Sequence, residues 1–219
     1  MPTRTSSLLL FLPFLLLALT ACGNRLDTVT ESDETGAYRE FQVDPETGLK
    51  QGTLRDYTKD GVLIAEENYL DGKLQGERLI YSPTGKVVVR ENYVADRFEG
   101  TYTSYDSLGN KSLQGEYIDG AMNGYWYGFY PNGQLKEQVM FKNNAEEGPF
   151  REWYGDGTPK ASGQYAGGDE EQGTLHLYAE DGTLARILDC DRGRCNTVWT
   201  PDSTATPVAG PAMDLPAIN

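Results

Sequence analysis

From Leu63 to Phe141 the chain alternates apolar and polar side chains, with no trace of the 3.6-residue period of an amphipathic helix. The first run sets Leu63, Ala65, Glu67 and Tyr69 on one side. Later runs fill the same slots with Val87, Val89, Glu91 and Tyr93, with Lys111, Leu113, Gly115 and Tyr117, and with Leu135, Glu137, Val139 and Phe141. Between them stand Glu66 and Asn68, Arg90 and Asn92, Gln114 and Glu116. A period of two with one apolar side predicts half-buried antiparallel strands.

These runs recur on a fixed frame. Gly52/Tyr57/Gly61 is followed by Gly76/Tyr81/Gly85, Gly100/Tyr105/Gly109, Gly124/Phe129/Gly133, Gly148/Trp153/Gly157 and Gly173/Tyr178/Gly182. Successive repeats start 24 residues apart, and the last starts 25 after its predecessor. A second aromatic follows in each repeat at Tyr69, Tyr93, Tyr117, Phe141 and Tyr165, with Cys190 in the sixth slot. Self-similarity at so short a period marks a repeat array, in which each unit buries its apolar side only against its neighbours.

Turn chemistry falls between the runs. Asp60-Gly61, Asn132-Gly133, Asp156-Gly157 and Asp181-Gly182 mark one end of each unit, with Pro83-Thr84-Gly85 and Ser107-Leu108-Gly109 as variants. Asp71-Gly72, Asp119-Gly120 and Gly167-Gly168-Asp169 mark the other, while Asp96 and Asn144 stand where glycine is expected. Such dipeptides between β-rich runs predict hairpins. The predicted fold is therefore all-β, an extended antiparallel meander of about six hairpin repeats and about a dozen strands. At roughly 4.8 Å per strand this is a ribbon about 60 Å long.

The ends of the chain read differently. Residues 1–21 hold Arg4 and an apolar run from Leu8 that is too short to span a bilayer, which is the pattern of a signal peptide. Its last residues, Leu19-Thr20-Ala21-Cys22, resemble a bacterial lipobox, which implies that Cys22 is lipidated and becomes the mature N-terminus. Gly23 in the next place implies sorting to the outer membrane of a Gram-negative cell, facing the periplasm. Residues 22–37 are polar and acidic and read as the lipidated cysteine with a flexible tether. The repeat domain covers 38–200. Residues 201–219, rich in Pro and Thr, read as a disordered tail.

Charge and cysteines narrow the function. The formal net charge is −14, which disfavours nucleic acid and favours a partner with a basic surface. Cys190 and Cys195 flank a four-residue turn and predict a disulfide in an oxidising compartment. His176 is the single histidine, too few ligands for a structural zinc site with that pair.

Segments such as Tyr69-Leu70-Asp71-Gly72-Lys73-Leu74-Gln75-Gly76 and Tyr117-Ile118-Asp119-Gly120-Ala121-Met122-Asn123-Gly124 resemble the Y-x-x-G-x-x-x-G core of MORN-variant repeats. With Tyr81…Gly85 or Phe129…Gly133 behind them they are similar to the arrays of the YwqK-family antitoxins. The resemblance runs from about Tyr38 to Trp199. It implies an immunity or antitoxin role, because lipid-anchored periplasmic arrays of this kind neutralise secreted antibacterial toxins, phospholipases among them, by binding. A structural or assembly scaffold of the envelope is the alternative, since repeats of this type serve as binding frames in many settings.

An enzyme finds little support in the inventory. No Gly-x-Ser-x-Gly elbow, phosphate loop or dinucleotide fingerprint occurs, and no cofactor or metal is expected. Glu66 and Glu67 point to opposite faces of a strand, and the acids of 146–147 and 169–171 fall in turns. His176 reads as a surface strand residue. The candidate partner-binding residues are the off-signature aromatics Trp126, Tyr130 and Tyr154, taken as exposed anchors, and the acidic turn Asp169-Glu170-Glu171. Packing of those aromatics against each other across strands is the other reading.

Overall fold

The computed structural model describes residues 25–211, 213 and 216, and over that span it contains strands and no helix. The strands are β1 (Asp27–Ser32), β2 (Tyr38–Val43), β3 (Lys50–Tyr57), β4 (Leu63–Leu70), β5 (Lys73–Leu74) and β6 (Gly76–Tyr81). There follow β7 (Val87–Val94), β8 (Arg97–Phe98), β9 (Gly100–Tyr105), β10 (Lys111–Ile118), β11 (Ala121–Phe129) and β12 (Leu135–Lys142). The last six are β13 (Ala145–Trp153), β14 (Pro159–Ala166), β15 (Glu170–Glu171), β16 (Gly173–Tyr178), β17 (Leu184–Asp191) and β18 (Arg194–Trp199). They form one 18-stranded sheet in which sequence neighbours pair antiparallel, so the predicted meander is the observed fold. The strand count exceeds the expected dozen because β5, β8 and β15 are two-residue segments split from longer runs and because β1, β2 and β18 flank the six repeat hairpins.

Each repeat carries a β-bulge that its alternating pattern hides. Asp56 faces Ala65 but Tyr57 faces Leu63, so Ile64 is the extra residue. The same step recurs at Val88, Ser112, Lys136, Lys160 and Ala185. A bulge bends the strand and resets the faces of what lies beyond it. Leu63 and Ala65 consequently lie on opposite faces, contrary to the unbroken alternation expected from the sequence.

The two aromatic columns are thereby parted. On the face we call front, the Tyr69 hydroxyl donates to Glu67 and the Tyr93 hydroxyl to Glu91. On the back, the Tyr81 hydroxyl donates to Glu66, which also pairs with Arg55. The front column is Tyr69, Tyr93, Tyr117, Phe141 and Tyr165, and the back column holds Tyr57, Tyr81, Trp153 and Tyr178. With both faces of one layer in use, few side chains are wholly enclosed. Trp153, Leu54, Cys190 and Ser162 are the largest of them.

The turns at one edge are locked from repeat to repeat. Asp96 (φ 70°) and Asn144 (φ 69°) adopt the left-handed conformation that glycine supplies elsewhere, as short polar side chains can. Their side chains also reach back one repeat, Asp96 accepting from Leu74 N at 2.7 Å and Asn144 from Met122 N at 2.8 Å. A second set of links starts from the residue before each signature glycine. Gln75, Glu99, Asn123, Glu147 and Gln172 accept from the backbone N–H of Ala95, Asp119, Asn143, Gly167 and Arg192, and Gln51 donates to Asp71.

Both ends correct the sequence reading. Within the segment taken as tether, β1 pairs with β2 along its full length, from Asp27 opposite Val43 to Ser32 opposite Tyr38. Its alternation is too short and too polar to stand out, and pairing to an existing strand supplies what propensity does not. The tail taken as disordered follows the back of the last repeats as far as it is described, with Trp153 Nε1 donating to Met213 O at 3.0 Å. The Cys190–Cys195 disulfide forms as expected, joining β17 to β18 at the C-terminal edge. Cys22 and its proposed lipid lie outside the described residues.

Candidate functional site

The front face is organised around one transverse row. Leu54 faces Glu67, Arg78 faces Glu91, Tyr102 faces Gly115, Trp126 faces Val139, Phe150 faces Gly163 and Leu175 faces Leu188. The first residue of each pair sits two places after a signature glycine. This column is where Trp126 belongs.

In the early repeats the row is charged. Arg78 Nε lies 2.9 Å from Glu67 and its Nη1 lies 3.1 Å from Glu91, so one guanidinium bridges two carboxylates. The Tyr69 and Tyr93 hydroxyls cap the same carboxylates at 2.8 and 3.1 Å. Burial, seconded by the Glu91 carboxylate, pushes the Tyr93 phenol up to about 12. Burial and the hydrogen bond to Glu67 raise Tyr69 further still.

In the later repeats the row is apolar. Trp126 is 2% exposed, packed edge-on against Tyr117 at 5.3 Å and Phe141 at 6.0 Å, with Tyr102 tilted over it at 5.7 Å. It lies flat on Gly115, where a Cβ would stand 2.1 Å from the indole. Phe150 rests on Gly163 in the same manner and stacks on Tyr165 at 4.3 Å. Phe98 lies tilted against Tyr93 at 4.5 Å and stacked on Tyr117 at 4.7 Å, joining the two halves.

Two clefts open on this apolar half. One, of about 190 Å³, is lined by Met122, Trp126, Val139, Phe141 and Glu146. Its neighbour, of about 310 Å³, is lined by Phe150, Tyr165, Leu175 and Glu171 and by Lys160, whose charge is taken up by Glu152 at 2.6 Å. Glu146 holds its proton more tightly than an ordinary glutamate, first because it is buried and then because Asp169, Glu137 and Glu171 crowd it with negative charge. An apolar floor with an under-compensated acidic rim is suited to the stem and head of a lysine or arginine. No group of His, Cys, Asp and Glu with metal-binding geometry occurs among the described residues.

The predicted site residues separate on this map. Trp126 is a floor residue, not the exposed anchor expected, because its column is an inward one. Tyr130 and Tyr154 tie repeats together: their hydroxyls donate to Trp153 O and Tyr178 O, each at 3.0 Å. Their spacing of one repeat was the available signal. Asp169 and Glu171 do converge, joined by Glu146 and Glu137, which sequence reasoning did not group with them. Glu170 is not among the charges acting on Glu146. His176, expected at the surface, is 4% exposed beneath the tail, where its Nε2 donates to Val208 O at 3.1 Å.

Two stretches, residues 74–95 and 122–143, match the family described as MORN repeat variant. Each runs from the start of one hairpin to the turn of the next, and they lie two repeats apart in the same phase. The comparison supports a repeat-based binding or scaffold protein. A search of curated proteins finds no match to the chain.

Proposed function

We propose that this chain is a non-catalytic binding protein, anchored through a lipid on Cys22, facing the periplasm from the outer membrane. Its ligand in this reading is a secreted antibacterial toxin with a basic surface, a phospholipase effector being the class the sequence resemblance implies, and binding neutralises it. The carrying observation is the rim of the front clefts, where Glu146 is held protonated more readily than usual by burial and by neighbouring acids. A cation from a partner would relieve that repulsion while its apolar neighbours covered the exposed parts of the aromatic row. Opposite charge at a rim speeds and orients encounter, and the covered aromatics supply affinity.

The experiment is capture from the native envelope with the wild-type chain and with Glu146→Gln/Asp169→Asn/Glu171→Gln, paired with survival of toxin-exposed cells at equal expression. A basic toxin retained by wild type, and association with it slowed about tenfold or more in the neutralised chain, is the expected result. Recovery of envelope structural proteins alone, equally by both chains, would replace this reading with that of an assembly scaffold. Cys22→Ala should move the protein from the membrane fraction to the soluble periplasm, and a variant that still pellets would remove the anchor from the proposal.

A further inference from the structure

The back face holds a groove that the front-face reading does not use. Beyond Trp199 the chain leaves the sheet and crosses the back of the last repeats without strand pairing. Three ring nitrogens grip its backbone. Trp199 Nε1 donates to Ala205 O at 2.9 Å, His176 Nε2 to Val208 O at 3.1 Å, and Trp153 Nε1 to Met213 O at 3.0 Å. A carbonyl only accepts, so His176 carries a proton on Nε2. Gly210 presses so close that a Cβ there would stand 2.6 Å from the Tyr178 hydroxyl and 3.2 Å from the His176 ring. Pro207 and Pro211 hold the segment extended. Ring donors aimed at carbonyls, with a glycine step between prolines, recognise an extended backbone more than any one sequence.

The tail leaves this groove incompletely satisfied. Beneath Pro211 lies a cavity of about 340 Å³ with Arg151, Ser162 and His176 on its floor. These three are consecutive cross-strand partners, Arg151 opposite Ser162 and Ser162 opposite His176. Among the described residues, Arg151 Nε, Ser162 Oγ and His176 Nδ1 are buried and meet no hydrogen-bond partner. Ser162 is wholly enclosed and His176 is 4% exposed. Arg151 reaches Gln138 through Nη1 at 3.2 Å, and no carboxylate among the described residues pairs with it, in a chain of 33 acidic residues. Unpaired polar groups in one enclosed space cost free energy that a matching ligand recovers.

We propose that the back groove is a binding site for an extended, proline-containing peptide bearing a carboxylate, and that the chain's own tail is its weaker internal occupant. The carboxylate accepts from Arg151 Nε and Ser162 Oγ, and a peptide N–H meets His176 Nδ1. A partner segment with that chemistry displaces the tail. This site stands or falls independently of the acidic front rim.

The test uses two synthetic peptides, residues 204–213 and the same peptide with Pro211→Glu, titrated by fluorescence anisotropy. The protein is the mature chain carrying Gly210→Val, which crowds the tail off Tyr178 and His176 while leaving the sheet intact. The glutamate peptide should bind about tenfold tighter than its parent, as a charge-assisted contact predicts. Adding Arg151→Gln should erase the gain. Equal affinity of the two peptides, or a gain that survives Arg151→Gln, would overturn the proposal. A second measurement needs no variant: excess glutamate peptide should speed protease cleavage within tail residues 204–211 of the unmodified chain. Unchanged cleavage at high peptide concentration would overturn it equally.

Discussion

The transverse row of the front face solves one problem in two ways. A long side chain two places after the signature glycine must lie flat on an uncovered sheet. At Arg78 the neighbours answer with charge, Glu67 and Glu91 gripping the guanidinium from both sides. At Trp126 and Phe150 they answer with space, Gly115 and Gly163 vacating the strand beneath each ring. The charged solution fixes register, because a one-residue slip would strand two carboxylates and a guanidinium. The apolar solution supplies burial and leaves clefts. The contrast places burial and open clefts in the later repeats and alignment in the earlier ones.

Four measurements would break or sharpen that contrast. The largest effect is expected from Trp126→Ala, which empties the best-packed floor position and should cost about 3–5 kcal/mol in urea unfolding. A loss below about 1 kcal/mol would show that the later repeats do not carry the burial assigned to them. Arg78→Met should cost less, about 2 kcal/mol, since the half-open bridge lets water reach the freed carboxylates. If it equals Trp126→Ala, the distinction between the halves collapses.

A pH ramp reads both halves through one residue type. Tyr93 in the charged half and Tyr165 in the apolar half are both pushed up to about 12, each chiefly by burial. A folded pKa above the unfolded value near 10 means the stabilisation is complete below about pH 10 and is lost as pH rises through about 12. Denaturation midpoints between those limits should fall, and Tyr93→Phe or Tyr165→Phe should each flatten part of the slope. A slope unchanged by both would contradict the burial argument. The smallest effect belongs to Glu146→Gln, which removes a crowded charge and should raise stability by under about 1 kcal/mol. A clear destabilisation would mean that the carboxylate has a stabilising partner.

Much of this was legible before any coordinates. Turn glycines and both aromatic columns repeat at fixed offsets, so hairpins and meander follow from counting. The inward column of Leu54, Tyr102, Trp126, Phe150 and Leu175 was equally periodic, yet Arg78 breaks its hydrophobic character and made Trp126 look like an outlier. The bulges were hidden for a different reason. One extra residue inside a strand leaves the written alternation intact and shows only when partners are paired. The tail was opaque because its composition reads as unstructured, while the groove holds it by backbone carbonyls, which no sequence displays. The crowding of Glu146 arises between strands, from Glu137 on the preceding strand and from Asp169 and Glu171 in the next repeat.

One irregularity in the repeat ends with an outsized effect. Where the spacing lengthens from 24 to 25, the surplus residue falls in the turn 167–169, whose three members all have positive φ (71°, 82° and 63°). An insertion there changes no strand register, so every face downstream keeps its assignment. The third member is Asp169, the foremost of the charges that crowd Glu146. One extra turn residue, without effect on strand pairing, thus gives the C-terminal end of the array an electrostatic character of its own. Deleting Gly168 should return this turn to the two-residue form of its siblings and move Asp169 relative to Glu146, so the carboxyl of Glu146 should titrate differently.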